Sequence, residues 1–182
     1  MAQERWEIDS GHSGIQFSVR HMVIAKVRGQ FARWSATILA DGDDPGRASV
    51  EALIDVSSIT TGVVDRDAHL KSADFFDVAS HPEITFKSTR VEKPAGGELC
   101  LVGDLTIRGV TREVVLTVED NGRTKDPWGH DRAGFTARAS IDRKDFGLVW
   151  NQVLETGGVM VGDRVEVEID VETVKQAEAK VA

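Results

Sequence analysis

Histidine is the residue type in this sequence that most readily serves as a metal ligand or as an acid–base catalyst. The five histidines are His12, His21, His69, His81 and His130. A protein-built metal site needs ligands that converge, and the sequence contains no Cys-x-x-Cys, His-x-His or His-Glu-x-x-His spacing. We therefore expect neither a metal site nor a cofactor.

Nucleophilic catalysis would require a serine, threonine or cysteine beside a base and an orienting third group. Ser10, Ser13, Ser72 and Ser80 lie near histidines in the sequence, but the pattern Gly-x-Ser-x-Gly is absent. We interpret these serines as residues that cap turns and anchor loops. Cys100 is the only cysteine, and its position inside LCLVG predicts a small buried side chain in a strand.

Arginine is the more informative polar residue, because convergent guanidinium groups bind phosphate-like headgroups with well-defined geometry. Arg20 and His21 end the first long strand pattern, and Arg66 and His69 lie in the charge-dense segment DRDAHLKSADFFD. All four lie where the mouth of a barrel would be. They are our candidate ligands for the headgroup of an amphiphile.

The segment DRDAHLKSADFFD, residues 65–77, interrupts a sequence that otherwise alternates like β-strands. Its carboxylates suit the start of a short helix, and Leu70, Phe75 and Phe76 supply apolar contacts. A catalytic loop would need partners that the sequence does not supply. We expect a structural lid that plugs one end of the fold with the two phenylalanines.

Alternation of apolar and polar residues with period two dominates the rest of the chain. It begins at GIQFSVRH, and VRGQFARWSATILA reads as one further strand with a bulge or bend at Gly29. The turn DGDDPG then predicts a hairpin into ASVEALIDV, and a three-strand meander follows. Further strands are AGFTARASI and GDRVEVEIDVE. Eight or nine antiparallel strands favour a closed barrel, with a two-sheet sandwich as the alternative.

Composition and charge exclude several classes of protein. The 182 residues suit one domain, which we place at residues 1–175 with a C-terminal tail at 176–182. A net charge of −8 from 22 basic and 30 acidic residues disfavours nucleic acid as a partner. The charged beginning MAQERWEIDS and the lack of a long apolar run predict a cytoplasmic protein without stable membrane insertion.

In a barrel, the inward apolar positions either fill the core or line a pore, and periodicity cannot separate the two. The predicted pore-lining residues are Ile15, Phe17, Val19, Phe31, Ile54, Phe86, Leu105, Phe135 and Ile141.

Several longer segments, in order along the chain, resemble the YceI-like family of polyisoprenoid-binding proteins. They are IDSGHSGIQFSVRHM, VRGQF, RDAHLKSADFFD, HPEITFKS, GDLTIRGVTREV, DRKDFGLVWN and VGDRVEVEIDVE. The resemblance runs from about residue 6 to residue 172. It implies an all-β fold, an extended antiparallel eight-stranded lipocalin-like barrel with one short helical insertion. It also implies an elongated apolar pore for a long isoprenoid or similar amphiphilic lipid, and a homodimer.

The function expected on these grounds is the binding and transport or storage of such a lipid, without catalysis. Two other classes stay open. One is a stress-response or interaction protein with a packed barrel, and the other is an enzyme acting on a small amphiphile with His69 as acid or base.

Overall fold

The computed structural model describes residues 3–42 and 44–178. Within them the chain forms eleven strands and one α-helix, α1 (Val64–Lys71), with short 3-10 turns at Val56–Ser58 and Arg143–Phe146. The strands are β1 (Glu4–Ile8), β2 (Gly14–His21), β3 (Ala25–Phe31), β4 (Trp34–Asp41), β5 (Asp44–Asp55), β6 (Ile59–Thr60), β7 (Glu83–Glu92), β8 (Leu99–Ile107), β9 (Val110–Lys125), β10 (Asp131–Asp142) and β11 (Val161–Lys175).

Eight strands form a closed antiparallel barrel in the order β1–β4–β5–β7–β8–β9–β10–β11, and β11 pairs back onto β1. Closure depends on the two ends of the described chain, where Trp6 lies opposite Lys175 on one side and Ile38 on the other. The predicted eight-stranded barrel with one short helical insertion is therefore confirmed, and the sandwich alternative is wrong. Closure leaves the barrel strands with few free edges.

Strand β11 is long enough to pair with two different strands along the same edge. Its end pairs with β1, while residues 161–170 pair with β2, and β2 in turn pairs with β3. The outer edge of β3 pairs with β6 only at Gln30 and Phe31. The strands β10, β11, β2 and β3 thus form a four-stranded sheet that continues one side of the barrel.

The prediction that VRGQFARWSATILA forms one strand is wrong, because β3 ends at Phe31 and β4 begins at Trp34. Ser58 causes the break. Its carbonyl accepts from the Ala32 amide and its hydroxyl accepts from the Arg33 amide. The two amides therefore donate their hydrogen bonds to a residue of the 3-10 turn and not to a neighbouring strand.

Of the bulge or bend predicted at Gly29, the bulge is wrong, and the bend stays a prediction. Gly29 lies in regular register opposite Phe17, and a side chain at Gly29 would overlap the Phe17 ring. Gly103 does the same for Phe86, since a Cβ there would lie 2.6 Å from Phe86 Cζ. Both glycines make room for an inward aromatic ring on the adjacent strand.

The predicted meander is confirmed as β7, β8 and β9, and the predicted hairpin as β4 and β5, which meet at Asp41 and Asp44. Asp43 lies outside the described residues. So does the end of the predicted tail, residues 179–182, and the domain boundary at 175 stays a prediction. Cys100 is in β8 as expected but is half-buried rather than buried.

One apolar core fills much of the barrel and extends under α1. Its buried members are Ile15, Phe31, Ile54, Val56, Ile59, Phe75, Ile84, Phe86, Leu105, Leu116, Ala137, Phe146 and Leu148.

Candidate ligand site

The sheet β10–β11–β2–β3 presents three rows of apolar residues on its inner face, which we call the apolar wall. Residues directly opposite each other on antiparallel strands share a face, so the strand register defines the rows. The rows are Ile141, Val165, Val19 and Val27; Ala139, Val167, Phe17 and Gly29; and Ala137, Ile169, Ile15 and Phe31.

Burial changes along the wall. In the third row Ala137, Ile15 and Phe31 are buried, at 9%, 4% and 9% exposure, and only Ile169 is half-buried. All eight residues of the first and second rows are half-buried. Inward residues in the middle of long strands would be buried if side chains filled the space in front of them. The first and second rows therefore keep apolar surface that the protein itself does not cover.

A groove of about 610 Å³ opens where the edge of β3 meets the residues before α1. Its lining combines Phe17, Gly29 and Val167 of the wall with Thr61 and Gly62, together with polar side chains of the outer sheet face. Because most of this lining consists of polar side chains of the outer sheet face, the groove lies on that face, behind the apolar wall and beside the residues that precede α1.

Residues 61–81, which we call the lid, contain α1 and the two predicted phenylalanines. Phe76 packs edge-on against Phe31, with ring centroids 6.1 Å apart, and Phe31 lies 5.6 Å from Phe17. Phe75 is buried, as a plug requires. A continuous row of aromatic rings therefore connects the lid to the apolar wall.

On its other side the lid packs against Trp150, from the loop before β11. The His69 ring lies 4.6 Å from Trp150 and 5.1 Å from Phe75, both edge-on, and Phe75 lies 5.4 Å from Trp150. Arg108 Nη1 donates to the Phe75 carbonyl over 2.7 Å. Aromatic packing and this hydrogen bond together hold the lid on the barrel.

Polar contacts fix the first turn of α1. The Asp67 carboxylate accepts from the Thr61 amide at 2.8 Å and from the Thr61 hydroxyl at 2.6 Å. Burial acts to raise the pKa of Asp67, but the hydrogen bonds from Thr61 outweigh it and lower that pKa below its usual value. Arg66 donates to the Thr61 hydroxyl and carbonyl, at 2.7 and 3.0 Å.

The four headgroup candidates fall into two groups. Arg66 is engaged with Thr61, and His69 Nε2 lies 2.8 Å from Asp74 Oδ2. Arg20 is exposed on the outer face of β2, whereas His21 is half-buried at its end. Within the part of the chain that the structure describes, no hydrogen bond or ion pair joins the two groups, and their role stays a prediction.

The predicted pore residues divide by burial. Those that belong to the buried core are Ile15, Phe31, Ile54, Phe86 and Leu105. Phe17, Val19 and Ile141 are half-buried on the apolar wall, in its first two rows. Phe135 is half-buried opposite Val171 and lies outside the core cluster of the described residues. The open part of the wall therefore contains three of the nine predicted residues.

Arg143 is the positioning residue that sequence reasoning missed. Its side chain is buried, and the carbonyls that accept from its guanidinium, at 2.7 to 3.2 Å, are those of Leu148, Trp150, Val161 and Gly162. Burial lowers the pKa of Arg143 from its usual value. This one side chain organises the loop that carries Trp150, and no periodic pattern marks it in the sequence.

A second polar cluster lies at the other end of β11. Arg132 bridges Asp9, Asp126 and Glu172 over 2.6 to 2.8 Å. Asp9, His12 and Glu172 have the donor atoms of a possible metal site, all within 4.8 Å of one another. Because the Arg132 guanidinium already binds both carboxylates, we interpret the cluster as a structural ion-pair network.

The fold and the site define a class: a closed antiparallel barrel with a partly uncovered apolar wall and an aromatic lid. The model of the YceI-like domain matches residues 6–173, and the chain belongs to that family. This confirms the resemblance seen in the sequence. Among the described residues, no helix has the length and apolarity needed to cross a bilayer.

Named relatives agree with this assignment. A UPF0312 protein of Staphylococcus aureus is 39% identical over 165 residues, which is 90% of this chain and 94% of that protein. The YceI protein of Campylobacter jejuni superposes with a TM-score of 0.72 at 30% identity, covering 87% of this chain and 90% of that one. A polyisoprenoid-binding domain from Saccharophagus degradans superposes with a TM-score of 0.67 at 16% identity, over 94% and 98% of the two chains.

Proposed function

We propose that this protein binds a long-chain isoprenoid or a similar amphiphilic lipid on the apolar wall beneath the lid, and transports or stores it. The observation that carries the proposal is the half-buried state of the first two wall rows. Covering apolar surface contributes about 25 cal/mol per Å², or about 0.8 kcal/mol per methylene. A chain of roughly ten methylenes therefore gains enough to offset the entropy lost on ordering it.

Two further points support a binding protein rather than an enzyme. The family and the Saccharophagus degradans domain, which is described as polyisoprenoid-binding, point to lipid binding. The His69 ring, which is paired with Asp74 and is the candidate for acid–base chemistry, packs between Phe75 of the lid and Trp150 of the loop before β11. We infer that this contact positions the lid and that His69 does not act as an acid or base.

Native mass spectrometry of the gently purified protein, with organic extraction of the same sample, tests the proposal. We expect a lipid-sized mass that is removed by extraction and restored by an added polyprenol. Ala139→Trp places a large ring on the second wall row and should reduce the bound fraction. Val115→Trp is the matched control, because Val115 is half-exposed on β9 outside the wall.

Repeated absence of a lipid in the wild type, with no uptake of added polyprenols, would exclude a carrier and favour the packed-barrel interaction protein. Equal loss in Ala139→Trp and Val115→Trp would show that the wall is not the site.

We propose Arg20, His21, Arg66 and His69 as headgroup contacts and test them by comparing a prenyl diphosphate with the matching prenol. Replacing a residue that contacts the headgroup should weaken binding of the diphosphate more than binding of the prenol, because only the diphosphate carries the charges that such a residue binds. If Arg66→Ala leaves the ratio of the two affinities unchanged, Arg66 is a lid residue only. The homodimer and the cytoplasmic location stay predictions, to be checked by light scattering and cell fractionation.

A further inference from the structure

The turn between β2 and β3 carries three consecutive apolar residues into solvent. Ile24 and Val23 are 80% and 68% exposed, and Met22 is also exposed. The Met22 amide donates to the Met160 carbonyl at 2.8 Å, which joins this turn to the loop before β11. That loop adds two exposed valines, paired across a β-bridge. We call the resulting patch the docking tip; it consists of Met22, Val23, Ile24, Val153 and Val159.

The backbone of the docking tip is strained. Met22 and Val23 have φ angles of 51° and 66°, in the left-handed region. A β-branched residue is rare there, and hairpin turns with positive φ favour glycine, asparagine or aspartate. This turn therefore keeps bulky apolar side chains in water at a cost in both hydration and backbone energy. Such a combination occurs where the exposed residues have a binding role.

Positive charge flanks the docking tip. Arg20 and Lys26 lie directly opposite each other, and Arg28 follows one pair further along the outer face. Like charges in opposed positions repel, and none of the three takes part in an ion pair among residues 3–42 and 44–178. Glu155 is the acidic residue of the adjoining loop. On a chain of net charge −8, this hairpin is a locally basic surface.

We propose that the docking tip binds the surface of an anionic lipid bilayer, with its apolar side chains in the interfacial region and Arg20, Lys26 and Arg28 at the headgroups. Apolar side chains bordered by lysine and arginine have the chemistry of a peripheral membrane contact. Each basic residue near an anionic surface strengthens partitioning about fivefold.

A second copy of the chain fits this surface less well. A two-fold interface places the same patch on both subunits, which would bring the basic hairpins toward each other. Five exposed side chains also cover much less than the roughly 800 Å² that each partner contributes to a stable interface.

The loop before β11 contains Trp150, which packs on His69 of the lid, as well as Val153 and Val159, so this one loop joins the lid to the docking tip. Bilayer contact would therefore occur next to the segment that covers the apolar wall. The inference goes beyond the proposed function and does not depend on it, since vesicle binding is measured whether or not the barrel holds a lipid.

Vesicle flotation tests the inference. We expect the protein to float with phosphatidylcholine vesicles that contain about 30 mol% phosphatidylglycerol, and to bind less at about 0.5 M salt. Ile24→Asp and Val153→Asp should each reduce the partition coefficient roughly tenfold. Leu53→Asp is the matched control, because Leu53 is an apolar residue that is 41% exposed on β5, outside the docking tip and the apolar wall.

The charge contribution has its own pair of variants. Lys26→Gln should weaken binding about fivefold, whereas Lys93→Gln, in the exposed β7–β8 turn, should leave it unchanged. Trp128→Gln should also leave vesicle binding unchanged. Trp128 is exposed, but it lies in the β9–β10 turn, at the end of β10 that is remote from the docking tip.

Three results would overturn the inference. The first is failure of the wild type to float with the anionic vesicles. The second is equal weakening by the tip variants and by Leu53→Asp or Trp128→Gln. The third is a light-scattering result in which Ile24→Asp converts a dimer to a monomer while vesicle binding is unchanged, which would make the tip a contact between copies.

Discussion

Arg143 shows how much local structure can depend on one buried side chain. Its guanidinium satisfies the carbonyls of Leu148, Trp150, Val161 and Gly162. Without it, these groups lose their charged donor, and the loop that holds Trp150 against the lid loses its organising contact. Unpaired buried carbonyls are costly because they have given up water.

We therefore expect Arg143→Met to lower the free energy of unfolding by about 3–5 kcal/mol, measured by guanidinium denaturation. Arg138→Met is the control. Arg138 lies nearby on β10, but its ion pairs with Glu119 and Glu168 are exposed and contribute little. Equal losses in the two variants would contradict a special role for Arg143.

Asp9 links the Arg132 cluster to the pH dependence of stability. Hydrogen bonds from Arg132 first, and then from His12, lower the pKa of Asp9 from 3.8 to about 2. The folded state thus favours the ionised carboxylate, a stabilisation that is complete above pH 3.8 and is lost as the pH falls through about 2.

We expect Asp9→Asn to cost up to about 2 kcal/mol near neutral pH, and the difference from wild type to shrink as the pH falls from about 4 toward about 2. Urea denaturation across this range measures it, with the exposed Asp104→Asn as control. An NMR titration in which Arg132→Gln leaves the pKa of Asp9 near 2 would contradict the assigned cause.

At the scale of the element, the lid is held on the barrel by a few aromatic contacts and by the hydrogen bond from Arg108. Phe76 connects it to Phe31 on the wall, while its polar contacts on Thr61 are internal. The helix α1 itself contains no buried residue. Elements with few buried apolar contacts open at lower cost than barrel strands.

We expect Phe76→Ala to speed amide hydrogen exchange in residues 61–81 about tenfold, with little change in the barrel strands. Val115→Ala, outside the lid, should change neither region. Faster exchange spread evenly over the strands would mean that the lid and the barrel open as one unit.

The sequence predicts the elements better than their interruptions. Alternation correctly predicts β2, β7 and β11, since an inward–outward period of two is a local property. The break at Ala32 and Arg33 depends on Ser58, far along the chain, and the need for glycine at position 29 comes from the ring of Phe17. Neither partner can be read from the strand on which its effect appears.

The candidate site is predictable to the same extent. The inward positions Phe17, Val19 and Ile141 follow from alternation, but whether they are covered does not. Their exposure depends on where along β11 the pairing with β2 gives way to pairing with β1, which is a property of the closed barrel. For the same reason Ile54, Phe86 and Leu105, with the same local pattern, lie in the buried core.

At the scale of the whole molecule, the closed barrel leaves part of the apolar wall uncovered, and a bound ligand would cover it. A ligand that binds only the folded state stabilises it by about 2.7 kcal/mol at a hundred times its dissociation constant. For a domain of this size, that corresponds to a rise of roughly 5–10 °C in Tm. The gain should grow with chain length, because each additional methylene covers more of the wall.

We therefore expect the extracted protein to melt at a higher temperature with a long polyprenol, and to show little change with an alcohol of a single isoprene unit. Differential scanning calorimetry measures both, and Ala139→Trp should lose the dependence on chain length while Val115→Trp keeps it. A shift of the same size for the short and the long alcohol would mean that neither occupies an extended apolar surface. A shift that survives in Ala139→Trp would place the ligand elsewhere in the fold.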